Sequence, residues 1–288
     1  MSWPVIRLFL IMTILKGWHS RQIDFVLAFP QADVETDIYM KLPMGYHRGD
    51  ANPHRDCLKL IKNVYGIRQG PRTFNKFLHT KLEKMGFQQS SIEPCLYTRG
   101  TAAFLVYVDD GIVIAPTETE TEQVLEDLMQ QGMDVEDLGT IQDYLGVRVD
   151  HLNDGRMKLS QPQLIDSILQ DLHFQDNTKT KPTPAHTTKI LDHDHDGKPF
   201  GGDFHYRRVI GKLNFLEKST RPDLAYAVHQ CARFSINPKE THANAVRHIG
   251  RYLLQSKNDG IILDPKEQSF DCYVDADFAG LWNPETAA

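Results

Sequence analysis

Two strongly apolar runs of β type stand on either side of a pair of aspartates in this chain. The runs cover residues 102–107 and 112–115, and the segment between them reads Val-Asp-Asp-Gly. So short a connection predicts a β-hairpin with Asp109, Asp110 and the following Gly at its tip. Taken alone, this tip is ordinary turn chemistry, because Asp and Gly favour tight turns.

A third carboxylate, Asp24, does not fit a turn explanation. It lies in the middle of the apolar run 22–28, which predicts a buried strand. A carboxylate in such a place is unfavourable unless a partner compensates its charge. Mg²⁺ is held by one or two carboxylates together with substrate phosphates, and two ions about 4 Å apart can clamp both oxygens of a phosphoryl transfer. Asp24, Asp109 and Asp110 are therefore predicted metal ligands.

The rest of the chain shows a mixture of helical and strand patterns. Helices are predicted at residues 4–16, 74–85, 124–129, 205–218, 222–234 and 239–256, and after a capping box that begins at Ser160. Further strands are predicted at residues 145–149, 261–263 and 270–274. Residues 176–203 are polar and rich in Thr, Lys, Asp, Pro and Gly, and this composition is typical of a linker.

Charge is distributed unevenly along a chain whose net charge is -6. Residues 59–84 hold seven cations and one acid, residues 205–257 hold ten cations and three acids, and residues 118–143 hold nine acids and no Lys or Arg. The net charge excludes a uniformly basic nucleic-acid binder, but two basic stretches could follow phosphates while the acidic stretch faces elsewhere. For any single stretch, a solvated helix face is the simpler explanation.

Cysteine usage and the first residues bear on the cellular location. The four cysteines are far apart and form no CxxC pair, which is typical of reduced thiols in an intracellular protein. The apolar run 8–15 is too short to span a bilayer and is followed by no small-residue cleavage site. We therefore expect a buried helix there, and neither secretion nor a membrane partner.

Seven blocks of the sequence, in order along nearly the whole chain, resemble the reverse transcriptases of copia-type retrotransposons. The block Gln22–Phe29 resembles their first polymerase motif, and Tyr107–Asp110 matches their YVDD box. The remaining blocks are 38–46, 58–60 with 64–72 (the family's LYGLKQAPR segment), 137–139 with 144–146, 206–213 with 220–223, and 273–280.

The resemblance implies an α+β fold of the right-hand polymerase type. Residues 1–175 would form incomplete fingers and an antiparallel palm sheet with helices, leading into the thumb. Residues 176–204 would be a polar linker, 205–262 a helical connection region, and 263–288 the first strands of a truncated ribonuclease H domain. Because the family's basic fingers segment and most of its ribonuclease H domain are missing, we hypothesise that the chain is a fragment of a retrotransposon polyprotein.

The resemblance also implies RNA-directed DNA synthesis with two Mg²⁺ or Mn²⁺ ions. Asp24 and Asp109 would bridge both ions, and Asp110 would support the site. The partners would be deoxynucleoside triphosphates, an RNA/DNA template-primer duplex and the rest of the polyprotein, in the cytoplasm and, for the family, in virus-like particles. Nucleotide-binding positions would be Phe25, Phe29, Gln69, Gly70 and Pro71; primer and template positions would be Tyr107, Val108, Arg72, Lys76, Leu145 and Gly146.

Three alternatives remain open at this point. Phe29 would select deoxynucleotides by its ring, or it is simply a core residue. Asp275 matches the first ribonuclease H carboxylate, but the other acids of that domain are absent, so we do not expect that activity. The whole chain is either a polymerase domain, as the three intact aspartates favour, or an inactive nucleic-acid-binding relic of a decayed element, as the missing segments favour.

Overall fold

A computed structural model of the chain describes residues 3–46, 49, 52, 55–174, 177–186, 191–269 and 271–274. The helices are α1 (Trp3–Lys16), α2 (Ala28–Gln31), α3 (Gly70–Lys84), α4 (Glu118–Gln130), α5 (Pro162–Asp171), α6 (Tyr206–Ser219), α7 (Ala225–Ala232) and α8 (Glu240–Gln255), with a 3₁₀ turn at Pro222–Leu224. The strands are β1 (His19–Phe25), β2 (Tyr39–Lys41), β3 (Cys57–Lys59), β4 (Gln88–Gln89), β5 (Leu96–Arg99), β6 (Ala102–Tyr107), β7 (Asp110–Ala115), β8 (Val135–Gly139), β9 (Asp143–Tyr144), β10 (Val147–His151), β11 (Met157–Ser160) and β12 (Ile261–Leu263).

A six-stranded antiparallel sheet forms the centre of the molecule. Its strand order is β4-β5-β6-β7-β1-β8, so β1 lies between two strands that follow it much later in the chain. The predicted hairpin is confirmed as the pair β6 and β7. Because strand residues alternate between the two faces of a sheet, the sheet buries one apolar set on each side.

Helices α3 and α4 cover one face of the sheet. Phe74, Leu78 and Leu82 of α3 and Val124 and Leu128 of α4 pack there at helical spacing. The other face is covered by α1 and by a second antiparallel sheet of order β12-β11-β10-β9. The mixed α+β architecture with antiparallel sheets is therefore confirmed, and both faces of the central sheet are packed.

Helices α5 to α8 form a helical unit with an apolar core of its own. Val209, Leu213, Leu224 and Val246 are fully buried in it. The predicted helices at 205–218 and 239–256 are confirmed as α6 and α8. The helix predicted at 222–234 begins as a 3₁₀ turn and its α-helical part ends at Ala232.

The segment predicted to be a linker contains no helix or strand over its described residues 177–186 and 191–203. It lies against the helical unit. The Lys181 backbone N–H donates to Arg251 at 3.2 Å, and the His242 ring is hydrogen-bonded to the Asp192 carbonyl at 2.7 Å. Phe200 also packs against the helical core.

The strand predicted at 22–28 is wrong at its C-terminal end, since β1 stops at Phe25. Leu27 adopts a left-handed conformation with φ of 48° and turns the chain into α2. Gln31 fixes this turn, because its amide group donates to the Val26 and Asp134 carbonyls, each at 2.7 Å. Asp24 is consequently the penultimate residue of its strand and not its middle.

Two further local predictions are wrong. Leu145 and Gly146 are the turn between β9 and β10, with φ of 49° and 76°, so the strand starts at Val147 and not at Leu145. Ser160 is the last residue of β11, so it does not form the N-terminal cap that was predicted for the following helix. Helix α5 begins after Gln161, whose side chain is bonded to the Gly146 carbonyl and to the Thr220 hydroxyl instead.

The end of the chain departs from the prediction in part. The strand at 261–263 is confirmed as β12. No strand forms over residues 271–274, whereas a strand was expected at 270–274. Asp275, the predicted ribonuclease H remnant, lies outside the described residues. Among the described residues no helix is long and apolar enough to cross a membrane.

Candidate active site

The hairpin between β6 and β7 has a different tip from the one predicted. Tyr107 and Asp110 are its last paired residues, so the turn consists of Val108 and Asp109 alone. Val108 has φ of 58°, a conformation that a β-branched residue rarely adopts. Asp110 already belongs to β7. The prediction that Asp109, Asp110 and Gly111 form the tip is therefore wrong, because the turn starts one residue earlier and ends two residues earlier.

Gly111 lies within strand β7, where close packing, and not a turn, requires a glycine. A Cβ atom at this position would lie 2.7 Å from Phe104 Cε2 and 2.8 Å from Ile23 Cγ1. These two side chains come from the strands on either side of β7 and meet over the glycine. The ordinary turn chemistry that competes with a functional explanation therefore does not account for this sequence.

Strand pairing brings Asp24 to the same end of the sheet as the hairpin tip. Asp24 lies directly opposite Asp110 on β7 and opposite Glu136 on β8. The backbone N–H of Phe25 donates to the Asp109 carbonyl at 2.9 Å, which ties the turn to β1. Three acidic residues from neighbouring strands and Asp109 from the turn thus collect at one end of the sheet.

The electrostatics of these acids reflect their mutual proximity. Burial raises the pKa of Asp24 above the ordinary carboxyl value, and the charges of Asp109 and Glu136 raise it further. Burial also raises the pKa of Asp110, and Asp109 and Asp24 add to this shift. Within the described chain no hydrogen bond or ion pair joins the side chains of Asp24, Asp109 or Asp110 to another group. The cluster is therefore short of positive charge.

A cation would relieve this shortage. Oxygen ligands are those that Mg²⁺ and Mn²⁺ prefer, and Mg²⁺ usually takes only one or two carboxylates, leaving the other positions to water and substrate phosphates. Among the described residues no group of three or more His, Cys, Asp or Glu side chains is arranged to hold an ion by itself. The three aspartates by themselves are thus not a complete metal site, and an ion at this place would take one or two of them and complete its coordination with water and substrate phosphates.

The two phenylalanines predicted to bind nucleotide face the interior. Phe25 is 1% exposed and packs edge-on against Phe74, with ring centroids 5.5 Å apart. Phe29 is 8% exposed and lies against Phe74 and Gly70. The Phe25 ring is buried in the core against α3, so no exposed surface of this ring supports its contact with nucleotide, which stays a prediction. Phe29 is part of the core, as its alternative explanation held.

Tyr65 is an exposed aromatic residue that packs against the buried Phe29. Its ring centroid lies 4.6 Å from that of Phe29, and the residue is 51% exposed. Burial raises the pKa of the Tyr65 phenol, with Asp109 and Asp24 adding to the shift and a backbone hydrogen bond from Ala28 opposing it. On the other side of the cluster, burial and then the charge of Asp110 raise the pKa of Tyr144.

The start of α3 lies beside these rings. Gln69 precedes the helix and its carbonyl accepts from the Thr73 backbone and hydroxyl, each at 2.9 Å. Gly70 is buried against Phe29, and Pro71 is exposed at the first turn. Gly70 is thus in contact with Phe29, while Gln69 and Pro71 flank it in the chain at the start of α3.

The predicted primer and template residues are spread over three elements. Tyr107 and Val108 are exposed at the hairpin. Arg72 and Lys76 lie on the exposed side of α3, where Lys76 forms an ion pair with Glu35 at 2.7 Å. Leu145 and Gly146 form the β9–β10 turn. The Gln161 side-chain amide donates a hydrogen bond to the Gly146 carbonyl of this turn at 3.1 Å.

Comparison with known proteins decides the family. The profile of a family described as reverse transcriptase (RNA-dependent DNA polymerase) matches residues 1–187, well over half of the chain. The chain belongs to this reverse transcriptase family. The retrovirus-related Pol polyprotein from transposon RE1 of Arabidopsis thaliana is 32% identical over 96% of the chain, and that from transposon RE2 of the same plant is 31% identical over 96%. The corresponding polyprotein from transposon TNT 1-94 of Nicotiana tabacum is 29% identical over 96%.

These relatives confirm the predicted resemblance to copia-type retrotransposon polyproteins. They are much longer than this reverse transcriptase chain, which spans 19% of the RE1 polyprotein and 22% of the TNT 1-94 polyprotein. The aspartates at the sheet edge lie within the matched residues. The similarity therefore covers the whole of the candidate site, while the other activities of the longer polyproteins belong to those proteins.

Sequence reasoning missed three residues beside the reverse transcriptase cluster. Glu136 lies in the acidic stretch, but only the pairing of β1 with β8 brings it opposite Asp24. Tyr65 belongs to the motif block 64–72, and its contact with Phe29 depends on how distant segments pack. Tyr144 is buried in the core between the two sheets, and the charge of Asp110 raises its pKa. The position of each of these residues depends on contacts between distant segments of the chain, and a local sequence pattern does not indicate such contacts.

Proposed function

We propose that this chain is the RNA-directed DNA polymerase domain of a copia-type retrotransposon, with nucleotidyl transfer at Asp24, Asp109 and Asp110. In this proposal the central sheet with α3 and α4 is the palm, and the helical unit of α5 to α8 corresponds to the thumb and connection. The observation that carries the proposal is the meeting of three uncompensated aspartates at one sheet edge in a chain of the reverse transcriptase family.

The three aspartates have distinct positions in this proposal. Asp24 and Asp109 come from two separate elements and would each hold both ions, while Asp110, opposite Asp24, would support the site from β7. Two Mg²⁺ or Mn²⁺ ions, when bound, lower the pKa of the primer 3′-hydroxyl and hold the triphosphate and the departing pyrophosphate. The strand positions of Asp24 and Asp110 fix their side chains, which favours a single ligand geometry.

The surroundings of the cluster support a nucleic-acid substrate. Arg72 and Lys76 lie on α3 and could meet template phosphates, which would make binding depend on salt. The exposed Tyr107 and Val108 at the hairpin and the turn at Leu145 and Gly146 would then contact the primer end. Such contacts read the shape and backbone of a duplex and not its base edges.

The test is incorporation of dTTP on an RNA template with a DNA primer, with Mg²⁺ or Mn²⁺. We expect the wild-type chain to extend the primer and Asp109→Asn to lose about 100-fold or more in kcat/KM, since the metal ligands supply several kcal/mol of transition-state stabilisation. Asp196→Asn, an exposed acid in the segment against the helical unit, is the matched control and should keep activity.

A wild-type chain that performs no better than Asp109→Asn would refute the proposed activity. That outcome would favour the second candidate, an inactive nucleic-acid-binding relic. The relic still predicts retention of a labelled template-primer duplex that weakens as salt rises. Measuring duplex binding on the same preparations therefore separates the two functions.

A further inference from the structure

A cavity of about 810 Å³ lies in the helical unit, between α7, α8 and the segment that precedes α6. Pockets that hold small molecules usually measure about 300–1,000 Å³, so this cavity has the size of such a site. Leu191, Ala227 and Ile249 give it an apolar wall, and charged residues line the rest. None of the three aspartates of the proposed polymerase site lines it.

Hydrogen bonds fix the segment before α6 along the second half of α8. The Lys181 backbone N–H donates to the Arg251 carbonyl at 3.2 Å, and the Gln255 side-chain amide donates to the Lys181 carbonyl at 2.6 Å. The His248 ring is hydrogen-bonded to the Thr183 carbonyl at 3.0 Å. Because His248 and Arg251 are three positions apart in one helix, their side chains are neighbours. Lys181 and Arg251 therefore line the same end of the cavity, beside His248.

The two cations at this end of the cavity have no counter-charge. Over the part of the chain that the structure describes, neither Lys181 nor Arg251 forms an ion pair. The Arg251 Nε is buried and has no hydrogen-bond partner. Since a buried donor without an acceptor is unfavourable, an anion at this end would supply both the missing acceptor and the missing negative charge.

Two acids also line the cavity, but they lie away from Arg251. The Asp194 carboxylate accepts from the Thr241 hydroxyl at 2.7 Å, and the Asp192 carboxylate accepts from the Asp194 backbone N–H at 3.1 Å. Thr241 is in the first turn of α8 and Arg251 is near its other end, so about 15 Å of helix axis separates them. The two carboxylates are thus engaged in their own turn and leave the cationic end unneutralised.

We propose that the cationic end of this cavity binds the phosphate group of a small phosphorylated molecule. A phosphate accepts several charge-assisted hydrogen bonds, and the planar fork of Arg251 can donate two of them in parallel. Lys181 adds a second positive charge, and the apolar wall of the cavity receives the organic part of the ligand. The proposal does not rest on the polymerase function, since it uses none of the residues of that site.

The test is calorimetric titration of the full chain with pyrophosphate in EDTA, so that no divalent ion supports anion binding at the aspartates. We expect wild type to show a single class of site. Arg251→Gln should weaken the binding by about tenfold or more, the effect of losing one hydrogen bond to a charged group. Arg251→Lys keeps the charge without the fork and should weaken it less. Asp109→Asn should bind pyrophosphate as wild type does.

Thermal unfolding separates ligand binding from a structural role of Arg251. Because the Arg251 side chain has no partner within the described chain, Arg251→Gln should have the Tm of wild type when no anion is present. Pyrophosphate should then raise the Tm of wild type more than that of Arg251→Gln. The matched control is Arg207→Gln, which removes an exposed guanidinium of α6 outside the cavity and should keep wild-type affinity.

The proposal fails if wild type and Arg251→Gln bind pyrophosphate equally or not at all. It also fails if Arg207→Gln weakens binding as much as Arg251→Gln, because the anion would then follow general surface charge. A thymidine oligonucleotide that binds through Arg251 while pyrophosphate does not would overturn the small-molecule site in favour of a nucleic-acid surface. A wild type that does not polymerise leaves all these results unchanged, so the two proposals fail separately.

Discussion

Gly111 lets one side chain from each neighbouring strand, Phe104 of β6 and Ile23 of β1, pack closely against β7. Any larger residue meets Phe104 and Ile23 at less than 3 Å, and both are fully buried in the core beneath the candidate site. We expect Gly111→Ala to lower the free energy of unfolding by about 1–3 kcal/mol, the usual effect of overpacking a core. Urea denaturation of the purified chain measures this difference.

A second glycine provides the control for that substitution. Gly211 lies within α6, and a Cβ there would meet nothing within 4 Å. Gly211→Ala should be neutral or stabilising by up to about 1 kcal/mol, because Ala favours a helix over Gly. Equal effects of the two substitutions would contradict the packing role of Gly111.

The aspartates of the cluster should reduce stability when no divalent ion is bound. Since the folded-state pKa of Asp110 is raised above its ordinary value of 3.8, the folded state loses stability as pH rises between the two pKa values. Asp110→Asn should therefore raise Tm at pH 7 in EDTA, and the gain should vanish below about the ordinary carboxyl pKa. Thermal unfolding at several pH values measures both effects.

Addition of Mg²⁺ with nucleotide distinguishes this explanation from a general effect of the substitution. The ligand should stabilise wild type more than Asp110→Asn, because the acids that repel one another without ions then have a counter-charge. A Tm gain for Asp110→Asn that is the same at acidic and neutral pH would show that charge repulsion is not its cause.

At the scale of elements, Arg221 joins the end of α6 to the end of α8. Its side chain is 3% exposed, and it donates to the Ser256 carbonyl at 2.7 Å and to Asp223 at 2.8 Å. Arg221→Lys cannot reproduce both contacts, because Lys lacks the planar fork of donors. We expect a loss of about 1–3 kcal/mol in unfolding free energy, because the buried Arg221 side chain loses hydrogen bonds while Asp223 itself is 39% exposed.

The comparison for Arg221 is an ion pair at the surface. Arg156 pairs with Asp154 at 2.6 Å within one exposed turn. Arg156→Lys should change stability by less than about 0.5 kcal/mol, since solvent screens such pairs. If both Lys substitutions had this small effect in urea unfolding, the buried contacts of Arg221 would not stabilise the helical unit.

The elements with a strong local pattern were predictable from sequence, and those shaped by distant contacts were not. Helix α3 and the β6–β7 hairpin follow from apolar spacing in single windows. Leu27 ends β1 early because Gln31 pulls the turn toward Asp134, more than a hundred positions along the chain. The capping box predicted to begin at Ser160 does not form for the same kind of reason, since α5 begins after Gln161, whose side chain is bonded to Gly146 and Thr220.

At the scale of the whole molecule, positive charge on α3 is partly neutralised within the chain. Lys76 donates to Glu35 at 2.7 Å and this hydrogen bond, with the nearby charge of Arg72, holds the pKa of Glu35 below its ordinary value. Arg72 itself forms no ion pair with another described residue. The basic stretch thus offers less free charge to a nucleic acid than its sequence indicates.

This difference predicts unequal salt effects on duplex binding. Arg72→Ala should reduce the slope of log K against log salt concentration by about 1, as for one lost phosphate contact. Lys76→Ala should reduce it less, because part of its charge is already engaged. Fluorescence anisotropy of a labelled RNA/DNA duplex over a salt series measures the slopes.

Glu35→Gln is the matched variant for that experiment. It frees Lys76 without removing a cation, so the slope should become steeper than that of wild type. Equal slopes for wild type, Arg72→Ala and Lys76→Ala would mean that α3 does not meet the phosphates.

The candidate site was predictable only as far as its aspartates. Their unusual apolar settings identified Asp24, Asp109 and Asp110, whereas Phe29 was left open between a nucleotide contact and a core residue. Phe29 is buried in the core, and its burial depends on how α2 and α3 pack. Glu136 could not be chosen among nine acids of its stretch without knowing that β8 pairs with β1.

The central position of β1 has a consequence for how the chain folds as it is synthesised. The ribosome makes β1 before both of its partners, since β7 and β8 end only at Ala115 and Gly139. Until both have emerged, Ile23 and Phe25 have no sheet to enter, and pairing across such long loops is slow. Asp24 therefore reaches its neighbours only when the sheet closes, so a nascent chain shorter than this cannot assemble the acidic cluster.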